Sequence, residues 1–334
     1  MLAVQGQSLN IPAREWGLSI GNSKTFTGLR LNYRDSAVVK INGVNLTLWI
    51  PRDKKTSSHI NGLALGVPLT GGGSIKGVTL ALGGAGAVGQ MSGLQASLLG
   101  LGAGGNITGI NLAGLGLGGG GHVQGISLAG LGMGAGGNLT GLSVAGLGMA
   151  TGGSITGISL AGVGLGAGTD IKGLNIAGLG VGAGNNLSGI TLTAIGAGAG
   201  NNLSGLVIAG VGAGAGNTLA GLSVAGIGAG APTIRGITIS GIATVATNYT
   251  GINVSGAMLK IEENGVFRGI SISPFNYAKG RQQGLHIGIF NYAENLHGVQ
   301  IGLLNYARNK RGLGRLLPLV NFNFRKQPAG VPKD

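Results

Sequence analysis

The chain contains no cysteine, and its 334 residues include only 8 prolines, 4% aromatic and 9% charged residues. Each shortage excludes something. Without cysteine there is neither a disulfide framework nor a thiolate metal site. Sparse proline, with no strict glycine at every third place, rules out a collagen triple helix. Eight acids and four histidines leave little from which to build a catalytic or metal site, so no enzyme and no cofactor is expected. What is abundant is glycine, 75 residues, about three times the usual share. The chain is also 43% apolar with a mean hydropathy of +0.39, too much burial material for simple disorder.

The net charge of +14 is concentrated toward the two ends. Residues 1–79 hold nine Lys/Arg and three acids, residues 235–334 twelve and four, and the 155 residues between only Asp170 and Lys172. A nucleic-acid binder would carry a basic stripe throughout, so no specific nucleic acid is expected. The basic ends read either as solvated caps or as attraction to an anionic surface such as lipopolysaccharide, acidic lipid or a polyanion. The opening MLAVQGQSLN has no basic n-region and no apolar core, so no secretory signal is read there. On this reading a cytoplasmic address stays open. The neutral middle is too glycine-rich for a transmembrane helix, each Gly costing about 1 kcal/mol relative to Ala.

The organising feature is a repeat. Units begin at a glycine followed by two aliphatics separated by one residue, from Gly28 and Gly43 through Gly77, Gly93 and Gly109 to Gly284 and Gly298, eighteen in all. From Gly77 to Gly221 the interval is 16 residues without exception. Numbered from that glycine, position 2 is Leu, Ile or Val in all eighteen units, and position 4 is aliphatic except at Ala96. Position 7 is aliphatic in the regular units from Leu115 onward (Leu115, Leu131, Leu147), and position 15 is apolar (Ile107, Val123, Leu139). Position 9 passes from Leu117 and Met133 to Ala197 and Ala213. Steps of two keep a strand face and steps of three change it. Corners at the glycines of position 1 and at Ala-Gly of positions 5–6 would therefore bring positions 2, 4, 7, 9 and 15 to one interior. Gly-Asn-Asn runs such as Gly184–Asn186 supply a further turn. The spacing predicts three short β legs per coil around a narrow core: an all-β, parallel β-solenoid of about 18 coils. One coil cannot bury enough to fold alone, so neighbours must stack.

On this scheme position 3 faces solvent. Its Asn, Ser and Thr side chains, Asn111, Ser127, Ser143, Ser159, Asn175 and Thr191, form the candidate interaction face, beside a nearly bare leg of Gly and Ala at positions 8, 10 and 12. Residues 1–61 read as an amino-terminal cap, 62–235 as the regular solenoid, 236–325 as irregular coils with a second cap, and 326–334 as a polar tail. In the late units Asn276, Asn291 and Asn305 share phase with the core aliphatics, each followed by a tyrosine (Tyr277, Tyr292, Tyr306). Matches to GxGxxG, as within Gly114–Gly121, recur as repeat filler rather than once between a strand and a helix. The histidines His59, His122, His286 and His297 are scattered, and Asp170 and Lys172 read as a surface pair.

Through GLHIGIFNYAENLH and GVQIGLLNYARN, then backward through the AGLGxGAG units to about residue 28, the chain resembles bacterial surface-repeat proteins built from GLQIGLxNxA-type units. LLPLVNFNF resembles a common ending of such chains. The resemblance implies a cell-envelope or surface address and carries no established activity. Three function classes follow. One is a non-enzymatic surface or scaffold solenoid whose flat sides meet a cell-envelope polymer, anionic lipid or a second copy. Another is an outer-membrane β-barrel with one strand and turn per unit. The third is an ice- or glycan-binding face of ranked Ser, Thr and Asn.

Overall fold

A computed structural model describes residues 3–5, 8–52 and 58–324. The tail expected at 326–334 and most of the Pro51–Ser58 loop lie outside them. The protein is 75% strand and forms a parallel β-solenoid of about 16 turns among the described residues. It divides into two compact units, Met1–Ala177 and Gly178–Asp334; the division falls within the regular 62–235 stretch rather than at either end of it.

In the first unit Ala3–Gln5, Ser8–Pro12 and Trp16–Gly21 form an antiparallel cap. Trp16–Gly21 pairs parallel with Thr25–Arg34, where winding begins. By the regular coils each turn has a seven-residue strand such as Ile107–Ala113 and a four-residue strand such as Gly116–Gly119. Each strand pairs in parallel with its equivalents in the coils before and after. Gly93, Gly109 and Gly125 stand in register, as do Leu101, Leu117 and Met133. Among the described residues, the antiparallel neighbours that an up-and-down barrel requires are confined to the caps.

In the second unit the same stacking runs through Asn202–Ala209 and Thr218–Ala225. The strands then lengthen, ending in Phe275–Ala307, which winds through successive turns as one 33-residue strand. Leu316–Asn323 closes the stack by pairing antiparallel with Gly298–Tyr306. The Glu262–Glu263 insertion is accommodated as a register shift between Ile261 and Val266, with Asn264 in the left-handed region at φ 61°.

Position 1 shows why the repeat is tied to glycine. Gly125 has φ +108°, and a Cβ there would lie 2.1 Å from the carbonyl oxygen of Gly109 in the coil before. The long strand bends here without breaking its ladder. Gly130, at position 6, is excluded from bearing a side chain by a different contact: its Cβ would lie 1.9 Å from the Gly114 oxygen.

The interior differs from the expectation in one respect that matters for function. Positions 15, 3 and 5 of the long strand and 9 and 11 of the short strand point inward: Ile107, Asn111, Ala113 and Leu117 are all buried. Positions 2, 4 and 7 point outward: Ile110, Leu112 and Leu115 are exposed. The reason is parity and room. Residues 15, 3 and 5 are separated by even steps, so ordinary strand alternation runs straight through the bend at position 1. In the regular coils the tube is narrow: positions 3, 5 and 11 carry mostly Ser, Thr, Asn, Ala or Gly, and the large aliphatics inside stand at 15 and 9. Columns of Leu and Ile at 2 and 4 have no place inside and stack on the outer surface.

Candidate interaction surfaces

The six residues expected to face solvent are instead core residues. Asn111 is 0%, Ser127 1%, Ser143 2%, Ser159 1%, Asn175 0% and Thr191 1% exposed. Within the first unit, Asn111 donates from Nδ2 to Ser127 Oγ at 3.1 Å, and Asn175 Nδ2 donates to the Gly173 carbonyl at 3.3 Å. Asn111 Oδ1 and Asn175 Oδ1 find no partner. This column is an internal polar seam, and an ice- or glycan-binding array cannot be built from it.

The outward columns of the first unit form the opposite kind of surface. Position 7 alone presents Leu115 at 47%, Leu131 at 48% and Leu147 at 53% exposure. Ile110, Ile126 and Ile158 of position 2 and Leu112 and Leu128 of position 4 are also exposed. A half-exposed Leu or Ile retains roughly 1 kcal/mol of unused transfer free energy, and contiguous apolar patches of this kind mark contact surfaces. Between columns 4 and 7 the side-chain-free Gly114 and Gly130 open a groove of about 800 Å³, walled by Leu80, Leu112, Leu128 and Val144. Ala96, the single small residue of column 4, widens it. The second unit repeats the arrangement at Val254, Gly256, Ile272 and Ile287, around a groove of about 350 Å³.

Position 16 borders column 2 on the other side of the bend. In the first unit this column runs in register from Trp16 through Thr27, Asn42, Asn61 and Lys76. It ends at Thr156 and Lys172. In the second it carries Ser204, Ala220, Arg235, Thr250 and Arg268. All four charged side chains in the column are bases and all are exposed. Asp170, just before the strand that carries Lys172, meets it at 3.2 Å. Trp16 is 59% exposed at the head of column 16, and Trp49, in register with Arg34 near column 7, is 43% exposed.

The short strand is bare on its outer side, and not through steric need. A Cβ on Gly118 or Gly166 would meet nothing within 4 Å. In the last coils the same column bears Tyr277, Tyr292 and Tyr306, stacked at centroid distances of 4.7 and 5.4 Å. Beneath them Asn276 Nδ2 donates to Asn291 Oδ1 at 2.8 Å and Asn291 Nδ2 to Asn305 Oδ1 at 2.7 Å. The phase relation seen in the sequence corresponds to a buried amide ladder under a tyrosine ladder.

Two buried polar features had no distinct signal in the repeat. Arg30 occupies inward position 3 and pairs with Asp35 at 2.5 Å, both side chains nearly inaccessible. Asn45 accepts from Arg30 Nη1 at 2.7 Å and donates to Asp35 Oδ2 at 3.0 Å, completing a charged plug at the amino-terminal end of the first unit. An arginine in phase with Asn45 and followed five residues later by an aspartate was the available hint. His286, also at position 3, is fully buried against the Phe267 ring at 4.6 Å, and desolvation lowers its pKa from 6.5 to about 3. No three of the His, Asp and Glu side chains gather into a potential metal site among the described residues.

No protein-family model, no curated protein and no solved structure matches this chain.

Proposed function

We propose that the protein is a non-enzymatic structural repeat protein of the cell envelope, whose solenoid sides serve as flat faces for interaction with a partner or polymer. The observation that carries this reading is the exposed ranks of Leu, Ile and Val at positions 2, 4 and 7. Parallel in-register stacking turns each outward residue into a column, so the chain presents surface rather than a pocket of converging polar groups. The resemblance to surface-repeat proteins supports the envelope address.

The test is a face variant of the full chain. Leu115→Ser, Leu131→Ser and Leu147→Ser together remove apolar surface at positions that contribute little to the interior. The expected result is loss of cosedimentation with isolated envelope material and loss of any self-association, with an unchanged circular-dichroism melt. A variant that associates as the parent does would refute the reading.

A further inference from the structure

The column that borders the apolar columns of each unit carries bases and no acid, with Asp170 beside it pairing with Lys172 at 3.2 Å. Columns 16, 2, 4 and 7 contain no acidic residue among the described residues, while column 16 presents Lys76 and Lys172 in the first unit and Arg235 and Arg268 in the second. In the first unit the columns flanking columns 2 and 4 carry both tryptophans, Trp16 at the head of column 16 and Trp49 in register with Arg34 near column 7. Aliphatic columns, exposed tryptophan and a basic border occur together at the boundary between lipid headgroups and acyl chains. There the indole sits at headgroup level and long cations reach phosphate while their stems lie on hydrocarbon. A second copy of the chain fits less well, because a symmetric contact would set the basic border against itself on a molecule of charge +14.

We propose that the aliphatic face of each unit docks on the surface of an anionic bilayer, with columns 2, 4 and 7 entering the acyl boundary and Lys76, Lys172, Arg235 and Arg268 lying against lipid phosphates. This rests on the interaction-face reading above and names its occupant. No membrane is crossed: the polar turn at positions 12–14 stays in water, as in other interfacial elements that bury one face. Binding combines buried apolar area with attraction to anionic headgroups, so it weakens with salt.

The experiment uses the full chain and vesicles of phosphatidylcholine with or without phosphatidylglycerol. On anionic vesicles, Trp16 and Trp49 fluorescence is expected to shift to the blue and to be quenched by brominated acyl chains. Affinity should fall on the order of fivefold for each base removed, so K76Q/K172Q/R235Q/R268Q should bind several-hundredfold more weakly. L115S/L131S/L147S should lose the fluorescence shift while keeping its circular-dichroism melt. Equal binding to neutral and anionic vesicles, or binding without a tryptophan shift, overturns the proposal. So does a wild-type chain that ignores vesicles. If that chain still sediments with envelope polymer or with itself through Leu115, Leu131 and Leu147, the lipid assignment fails and the interaction-face reading survives. If it associates with nothing, both fail.

Discussion

The regular coils of the first unit and the last coils of the second bury polar groups in different ways. In the first unit the polar seam is position 3, where residue types alternate: Thr79, Gln95, Asn111, Ser127. Thr79 Oγ1, both amide atoms of Gln95 and Asn111 Oδ1 lack partners. In the second unit position 9 becomes Asn in successive coils, and each amide donates to the next while also reaching backbone carbonyls, as Asn291 does to Ile301 at 3.0 Å. The winding scheme is the same, but satisfaction differs. An amide is both donor and acceptor, so a column of identical Asn residues satisfies itself, whereas Asn111 above Ser127 leaves its acceptor idle. A varied column is satisfied only where a neighbouring side chain supplies the missing donor, as Ser255 does for Asn253 Oδ1.

Position 3 of the last coils allows the sharpest break of this comparison. His286 is a polar residue in a varied column, with Ser271 in register before it and Phe267 edge-on, and both its ring nitrogens are unpartnered. Burial holds its pKa near 3 against 6.5 for an exposed imidazole. Above pH 6.5 both folded and unfolded chains are neutral at this site and it contributes nothing to pH dependence. As pH falls from 6.5 toward 3 only the unfolded chain takes the proton, so stability falls, by roughly 4–5 kcal/mol at the lower limit. Urea midpoints should drop between pH 6.5 and 5, above the range where exposed carboxylates titrate, and His286→Asn should remove that part of the slope. An identical slope in the variant would show that the site is not dry.

The ladder gives the next effect. Asn291→Ala removes the side-chain donor to Asn305 Oδ1 and to the Ile301 carbonyl and the acceptor of Asn276 Nδ2, and should cost about 3 kcal/mol. Asn111→Ala removes one bond along with an already idle acceptor and should cost under about 1 kcal/mol. Solenoids lose structure coil by coil, so amide exchange across Phe275–Ala307 and Ile107–Ala113 is the suitable readout. Equal costs at the two sites would mean that the ladder adds nothing beyond single bonds. Ser223→Ala tests the varied column from the other side. Its hydroxyl is buried and unpartnered, with Val207 in register beside it, so the substitution should stabilise by up to about 1 kcal/mol.

Much of this is legible in the sequence. A glycine recurring every 16 residues identified the bend, because no other residue fits Gly125, and the phase of Asn276, Asn291 and Asn305 put them with the core, though not yet as a ladder. Inside and outside were not legible for the long strand. Hydropathy assigned Ile110 and Leu112 to the core and Asn111 to the surface, yet the even spacing of Ile107, Asn111 and Ala113 gave the true inward set. The two signals conflict because a tube this thin has too little interior for its aliphatics, and volume, rather than polarity, chose what went in. The candidate face therefore turned inside out: the polar column became the seam, and positions 2, 4 and 7 of the expected core became exposed surface while 9 and 15 stayed inside. Arg30 and His286 were hidden for a related reason, since their meaning depends on which column is dry.

The smallest predicted effect concerns the bare outer side of the short strand. Gly118 and Gly166 stand where Tyr277, Tyr292 and Tyr306 stand in the last coils, and nothing lies within 4 Å of a Cβ built on either glycine. Neither has the positive φ of the glycines at position 1, and the column already accepts Ala150 beside Gly134 and Gly166. Gly166→Ala should therefore stabilise the first unit by about 0.5–1 kcal/mol through reduced freedom of the unfolded chain, whereas a glycine required by the winding would be costly to replace. A raised urea midpoint for this variant would separate the two kinds of glycine in the repeat, those the bends demand and those that keep one side flat. A lowered midpoint would place Gly166 with the bends and remove the distinction.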